Sequence, residues 1–194
     1  LRADPAYAKL TPAQQKIIEN ELRDFRLGGA ELAPAEKSRF KAIQEELSKL
    51  ASKFEENVLD NTNDYTLVIE DLSRLSGIPE DVLATAQAAA RESGKNGYQF
   101  SLHFPSYLPV LQYADNRELR ETLYRAYATR ASEFGKAEWD NTPIIAQILK
   151  LKLEAAQLLG FANYAELSVA TKMAESPQQV EAFLQDLADK AKPY

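Results

Sequence analysis

The chain has 194 residues, of which 45% are hydrophobic and 27% charged, an ordinary balance for one large globular domain or two small ones. Its net charge of −6 argues against nucleic-acid binding, which depends mostly on contacts from Lys and Arg to phosphates. No run approaches the roughly 18 apolar residues of a membrane helix. The absence of cysteine excludes disulfides, thiolate metal sites and a cysteine nucleophile, and it agrees with a reducing compartment.

Both ends of the sequence are interpreted as cuts. The first residue is Leu1, and no secretory signal follows it. At the other end, residues 190–194 follow an amphipathic pattern without an evident helix terminator. We therefore expect a processed chain or an excised piece of a longer one.

The first third of the chain predicts two helices. The first begins at a capping box, Thr11-Pro12-Ala13-Gln14, and ends at Gly28-Gly29, because glycine adopts the left-handed cap conformation. A second helix is predicted over about 34–59, with one apolar stripe facing the core. The apolar face of the first helix holds Ile17, Ile18, Leu22 and Phe25. The stripe of the second holds Phe40, Ile43, Leu47, Leu50, Phe54 and Val58.

The period then changes. Residues 64–70 and 97–102 are rich in β-branched and aromatic side chains, which predicts two short strands. An alanine-rich helix over 79–91 separates them. We expect the strands to pair in one small sheet within a subregion of about 64–102, and the sequence leaves their relative direction open.

Five more helices are predicted after the second strand. They cover 107–113, a longer segment starting at Asp115 or Asn116, a strongly apolar segment from Thr142 to Gly160, and two segments that open with capping boxes at Asn163 and Ser176. The helix starting at Asp115 or Asn116 is expected to turn Leu119, Leu123, Ala126 and Tyr127 inward. The segment 132–139 between helices is expected to be a loop.

The last long helices are expected to be well buried. The segment after Thr142 is apolar around most of its circumference, which predicts burial on several sides. Its apolar residues are Ile144, Ile145, Ile148, Leu149, Leu151 and Leu153. The final helix is expected to bury Val180, Phe183, Leu184 and Leu187. The predicted fold class is therefore mainly α: a multi-helix, layered or bundle-like lobe over 1–194, treated as a single region, with a minor two-stranded β element.

Metal chemistry has little support in the residues. A zinc peptidase helix needs two histidines four residues apart, and His103 is the one histidine of the chain. The residue three before it is Phe100, so a Glu-x-x-His di-iron pattern is also missing. We interpret His103 as a satisfied structural histidine near the end of the second strand.

A calcium loop is also disfavoured. Asp60-x-Thr62-x-Asp64 resembles the start of such a loop, but the sixth and twelfth positions are Tyr65 and Asp71, where glycine and glutamate are needed. Helix-end polar caps are the preferred interpretation.

Three other possible sites are an arginine row, a nucleophilic serine and an aromatic groove. Four arginines, at 117, 120, 125 and 130, scatter around their helix, which favours separate ion pairs over an anion-binding row. No Gly-x-Ser-x-Gly elbow places a nucleophilic serine. A set of aromatics could line a groove for apolar peptide side chains, although core packing explains them more simply. They are Tyr98, Phe100, Phe104, Tyr107 and Tyr113.

Several longer segments carry a family resemblance. Residues 148–174 include the stretch LLGFANYAELSVATKMA, and 57–65, 76–86, 105–132 and 139–145 match in order. Together they resemble the thimet-oligopeptidase family of zinc peptidases over most of the chain. Lys152 departs from the family pattern, where arginine is expected.

The resemblance implies a mostly helical, cytoplasmic enzyme that cuts short peptides in a deep channel between two lobes. Zinc would be held by the histidines of an H-E-x-x-H helix and a further glutamate, and would lower the pKa of a bound water. Those residues lie beyond the matched part, so no residue of this chain is assigned as catalytic, cofactor-binding or metal-binding. The implied partners are short peptides and the remaining catalytic half of the same polypeptide.

The resulting prediction is a non-catalytic interior fragment of a zinc oligopeptidase that forms part of the channel wall. It is inactive alone, with zinc only in the full-length parent. The alternative is a stand-alone helical interaction module without enzymatic activity. We also expect the isolated piece to self-associate, because large exposed apolar patches promote association.

Overall fold

The computed structural model describes residues 5–192. The expected cut ends, Leu1 at the start and Pro193 and Tyr194 at the end, lie outside the described residues. Within the described part, eight α-helices and two strands alternate with three short 3₁₀ turns. The elements are α1 Pro12–Leu27, α2 Pro34–Asp64, β1 Thr66–Ile69, α3 Glu80–Glu92, β2 Tyr98–Ser101, α4 Phe104–Tyr113, α5 Arg117–Ala128, α6 Thr142–Leu158, α7 Tyr164–Val169 and α8 Pro177–Ala191. The mainly α class with a minor two-stranded element is confirmed.

Side-chain caps set the starts of several helices. In α1, Thr11 Oγ1 accepts from the Gln14 backbone N–H at 3.3 Å, and Gln14 Oε1 accepts from the Thr11 N–H at 2.9 Å, which completes the predicted capping box. In α7 and α8, Asn163 and Ser176 accept from the backbone N–H groups three residues on, at 3.0 and 3.2 Å. Local sequence therefore determines where these helices begin.

The boundaries of two helices differ from the prediction. Helix α2 runs to Asp64, five residues beyond the predicted end at about residue 59. Helix α4 begins at Phe104, ahead of the predicted 107. The segment 132–139 also contains a short 3₁₀ turn, Ala137–Trp139. Residues 60–64 contain neither glycine nor proline, so nothing stops the helix before Asp64, shortly ahead of the strand.

The chain divides into two compact units. Unit 1 comprises 1–48 and 147–194, and unit 2 comprises 49–146, so the divisions fall inside α2 and α6. The expected strand subregion, about 64–102, lies within unit 2.

Unit 2 contains the two-stranded sheet and a continuous hydrophobic core. Strands β1 and β2 pair antiparallel, with Thr66 opposite Ser101 and Ile69 opposite Tyr98, which settles the direction that the sequence left open. The core cluster joins the sheet to α3, α4 and α5. Its buried members are Ile69, Leu75, Ile78, Ala86, Phe100, Leu102, Tyr107, Val110, Ala114, Leu119 and Leu123.

Unit 1 contains fewer buried side chains. Ile43 of α2 and Leu151, Ala155 and Ala156 of α6 are buried. A bidentate ion pair joins the same two helices: Arg39 donates through Nε and Nη2 to the Glu154 carboxylate at 2.5 and 2.6 Å. These hydrogen bonds hold the pKa of Glu154 below its usual value, although exposure to solvent keeps such a pair weak in stability terms.

Two burial predictions are wrong. Helix α6 is buried along one side only, because Ile145, Leu149 and Leu153 are exposed. Helix α8 has no buried residue. All four of its predicted core residues are exposed: Val180, Phe183, Leu184 and Leu187. Their apolar periodicity is real, but the described residues provide nothing that covers these faces.

Helix α1 shows the same mismatch. Ile17 and Phe25 of its predicted apolar face are 61% and 65% exposed, whereas Ile18 and Leu22 are half-buried. An amphipathic pattern predicts an apolar face but does not supply the surface that covers it.

A close backbone approach requires glycine at position 77. Gly77 has φ +85°, and a Cβ built there would lie 2.2 Å from the Tyr113 carbonyl oxygen. The neighbouring Ser76 anchors the contact: its carbonyl accepts from the Asp115 N–H at 2.9 Å, and its hydroxyl donates to the Asp115 carboxylate at 2.6 Å. The turn before α3 is thus held against the end of α4.

We predict that Gly77→Ala destabilises the chain by roughly 3 kcal/mol or more, because left-handed strain and a backbone clash add together. Gly94→Ala is the matched control: Gly94 also has positive φ, but nothing lies within 4 Å of its would-be Cβ. That control is expected to cost only about 1 kcal/mol. Urea unfolding followed by circular dichroism measures both, and equal losses would contradict the clash.

Candidate functional site

Two features stand out in the described residues: a buried polar junction in unit 2 and a cationic pocket in unit 1. The polar junction consists of Asn57, Asn61, Thr62, Arg130, Ala131 and Asn141.

A buried amide pair forms the centre of the polar junction. Asn57 Nδ2 donates to Asn141 Oδ1 at 2.8 Å, and both side chains are almost fully buried. Asn141 Nδ2 donates onward to the Phe54 carbonyl at 3.1 Å, and its backbone N–H donates to the Ala131 carbonyl at 3.0 Å. Buried polar groups are costly unless hydrogen-bonded, so these contacts fix the start of α6 against α2 within unit 2.

Helix α2 also holds the loop after α5. The Ala131 N–H donates to Asn61 Oδ1 at 3.0 Å, and Arg130 Nη1 donates to Thr62 Oγ1 at 2.9 Å. Ala131 has φ +48°, a left-handed conformation that is unusual for alanine. Hydrogen bonds at its own N–H and carbonyl hold it there.

An aromatic stack connects this junction to the core. The rings of Tyr107 and Tyr127 lie parallel with centroids 4.2 Å apart, and the Arg130 guanidinium lies 3.6 Å from the Tyr127 centroid. Burial raises the pKa of Tyr107. The junction therefore brings together three of the segments singled out in the sequence, 57–65, 105–132 and 139–145, and its contacts are those of a structural tie.

The cationic pocket lies in unit 1 and has a volume of about 630 Å³. Lys152 of α6 and Lys172, which follows α7, contribute the only ionisable groups other than Tyr164 among its lining residues. Lys152 Nζ lies 4.6 Å from the Tyr164 ring centroid, and Lys172 Nζ donates to Ser168 Oγ at 2.7 Å. Apolar side chains from α1 and α2, including Leu27 and Leu47, form another part of the wall.

The segment 158–180 folds as the sequence suggests. Helix α6 ends at Leu158, Gly160 adopts φ +84°, and the short α7 and then α8 follow. Lys152, where the family pattern led us to expect arginine, contacts the α7 residue Tyr164. Sequence reasoning did not find the pocket, since Lys152 and Lys172 are twenty positions apart and carry no local motif.

Two aspartates of the rejected calcium loop make contacts that stabilise the fold. Asp71, the twelfth position of the rejected calcium loop, accepts from the Ser73 N–H and hydroxyl at 2.9 and 2.7 Å, and these hydrogen bonds lower its pKa. Asp64 pairs with Lys136 at 2.8 Å. No group of three or more His, Cys, Asp or Glu side chains within 5–192 is placed to hold a metal ion.

The prediction of separate ion pairs holds for Arg125, whereas Arg120 and Arg130 make hydrogen bonds to neutral groups. Arg125 pairs with Glu121 at 3.5 Å, and Arg120 donates to the backbone carbonyls of Ala114 and Asp115. They do not form a row for an anion.

The interpretation of His103 needs correction. Its side chain is exposed, and its structural role lies in the backbone: the His103 carbonyl accepts from the N–H groups of Ser106 and Tyr107, both at 2.9 Å. The imidazole lines a cleft of unit 2 together with Gln99, whose buried Oε1 has no partner among the described residues. A short strand followed directly by a helix cap leaves this histidine on the surface.

The aromatic set divides between core and surface. Phe100 and Tyr107 are buried and Tyr98 is packed against the core, so core packing accounts for these three. Phe104 and Tyr113 are more than half exposed. The five therefore do not line one groove.

We predict that Asn141→Ala costs about 2 kcal/mol or more, since it leaves the buried Asn57 Nδ2 without its acceptor. The control is Asn63→Ala on an exposed position of the same helix α2, expected to stay within about 0.5 kcal/mol of the parent. Urea unfolding of both variants decides it, and a near-neutral Asn141→Ala would show that the tie contributes little.

The family model and the similar proteins found by comparison are all peptidases. Residues 110–194 match the model of Peptidase family M3. Oligopeptidase A of Haemophilus influenzae is 50% identical over 195 residues, covering 100% of this chain and 29% of that protein. The oligopeptidase A of Escherichia coli is 49% identical with the same coverage, and the thimet-like oligopeptidase of Dictyostelium discoideum is 28% identical over 90% of this chain and 24% of its own length.

The chain thus spans about 29% of the length of the curated bacterial relatives that it matches. No described helix is long and apolar enough to cross a membrane. Similarity at about half identity along the whole of this chain cannot arise from helical periodicity alone, and it includes the segments that meet in the polar junction. The chain belongs to the thimet-oligopeptidase family, the peptidases of family M3.

Proposed function

We propose that this chain is the helical, non-catalytic portion of a larger zinc oligopeptidase that hydrolyses short peptides. The observation that carries the proposal is identity of 50% to oligopeptidase A across the whole chain, within only 29% of that protein's length. Residues 1–194 then act as one helical region of the complete polypeptide.

The residues present do not fit a zinc centre. The sequence has one histidine and no cysteine, so it cannot contain the paired histidines of an H-E-x-x-H helix. His103 is exposed, and no group of candidate ligands within 5–192 surrounds it. Under this proposal the metal and the catalytic residues belong to the remaining half of the polypeptide, and this chain holds none of them.

The contribution of this chain is then part of the wall of the substrate channel. A wall of packed helices restricts substrates by size, because an extended peptide enters a narrow channel while a folded protein does not. A sequence without cysteine and with a net charge of −6 agrees with a cytoplasmic protein that binds neither nucleic acid nor membrane.

A second candidate is a stand-alone helical interaction module without enzymatic activity. The exposed apolar faces of α1 and α8 favour a partner of some kind, in the same polypeptide or in another. Sequencing the natural reading frame downstream of Tyr194 separates the two: continuation into an H-E-x-x-H helix supports the peptidase, and a stop codon supports the module.

We expect the 194-residue chain to show no chelator-sensitive cleavage of a fluorogenic peptide, and the complete polypeptide to cleave it. The physical reason is the missing ligand set, without which no metal-bound water is activated. The control adds zinc back after chelation of both samples. Chelator-sensitive cleavage by the short chain would overturn the assignment.

We also expect the isolated chain to self-associate at high concentration, through apolar side chains such as Phe183 and Leu187. Phe183→Lys is expected to weaken association more than tenfold, since burying a phenylalanine is worth about 1.5–3 kcal/mol. Gln185→Lys on the same helix introduces the same charge without removing an apolar group. Sedimentation across a concentration series measures both, and a monomer at all concentrations argues against an uncovered interface.

A further inference from the structure

We propose that the cationic pocket of unit 1 binds the C-terminal end of a peptide, with the ammonium groups of Lys152 and Lys172 holding its free carboxylate and the apolar wall holding its last side chain. The peptide nature of the ligand rests on the proposed function. The preference for an anion with an apolar body does not, because it follows from the lining residues themselves.

Charge is the first argument. The pocket is lined by two lysines and by no aspartate or glutamate, in a chain whose net charge is −6. Neither lysine belongs to an ion pair among the described residues, and no carboxylate of the lining faces them. A local excess of positive charge without an internal partner favours an external anion.

The second argument is the placement of the two ammonium groups. Lys152 is half-buried, and its Nζ is positioned 4.6 Å from the Tyr164 ring centroid. Lys172 Nζ uses one of its three N–H donors on Ser168 Oγ at 2.7 Å. Donors therefore remain free on both lysines, and the Ser168 and Thr171 hydroxyls lie in the same lining. A carboxylate has about four acceptor sites to receive them.

The third argument is the apolar wall. Leucines from three parts of unit 1, Leu27, Leu47 and Leu159, line the pocket, together with the half-buried Phe40. A volume of about 630 Å³ lies within the usual range of roughly 300–1,000 Å³ for ligand pockets. A wall of this kind adds nothing to the binding of a small hydrated anion, but it accommodates a leucine-sized side chain beside the carboxylate.

The test is an NMR titration of the isotope-labelled 194-residue chain with three probes: N-acetyl-leucyl-leucine, its C-terminal amide and inorganic phosphate. We expect the carboxylate form to shift the backbone signals of Tyr164, Ser168 and Thr171, and to bind roughly tenfold more tightly than the amide, because only the former makes charge-assisted hydrogen bonds. Phosphate is expected to bind more weakly than the acid.

Substitutions of the two pocket lysines test whether each one contacts the carboxylate. Lys152→Met and Lys172→Met keep the aliphatic length of the side chain and are each expected to weaken binding of the acid roughly tenfold. Lys172→Arg keeps the charge and is expected to retain binding. Lys150→Met is the matched control on α6, outside the pocket lining, and is expected to leave binding unchanged.

Three results would overturn the proposal: equal affinity for acid and amide, unchanged affinity in both lysine-to-methionine variants, or phosphate binding as tight as that of the acid. The titration requires no cleavage. Its failure is therefore distinguishable from failure of the proposed peptidase function, which is measured on the complete polypeptide.

Discussion

The hydrogen bond between Asn57 and Asn141 is the constraint on which the organisation of unit 2 depends. Both side chains are almost fully buried, so Asn57 Nδ2 and Asn141 Oδ1 depend on each other for a hydrogen bond, and Asn57 Oδ1 has no partner among the described residues. The pair ties the middle of α2 to the start of α6, and Asn141 also reaches the loop after α5 through the Ala131 carbonyl. A buried polar contact between segments distant in sequence specifies one arrangement where apolar packing alone would tolerate several.

The left-handed backbone at Ala131 is a consequence of this arrangement. Its N–H and carbonyl are committed to Asn61 and Asn141, and its side chain is buried, so the hydrogen bonds outweigh the conformational cost. Arg130, one position earlier, is stacked on Tyr127 and bonded to Thr62. These contacts give the segments that carry the family resemblance a structural role.

Unit 1 is organised differently. Its buried residues are few, its helices α1 and α8 present exposed apolar side chains, and its pocket combines two lysines with an apolar wall. Under the proposed function, this surface packs against further chain and borders the path of a substrate. A carboxylate-binding pocket there would give such a wall a chemical role in addition to its shape.

The sequence by itself determined the local elements of this protein. The capping box at Thr11, the caps at Asn163 and Ser176, and the glycines at 28–29 and 160 place helix ends because each acts on the backbone within a few residues. The change of period at 64–70 likewise predicted β1, and the family resemblance extended along most of the chain.

Only the tertiary structure decided which apolar faces are covered and which polar residues meet. The periodicity of α8 is as regular as that of α2, yet Phe183 is exposed while Ile43 is buried, because covering depends on what other segments bring to that face. Asn57 and Asn141 pair across 84 positions, and Lys152 and Lys172, 20 positions apart, line one pocket. No local pattern encodes such distances, since they result from how the whole chain packs.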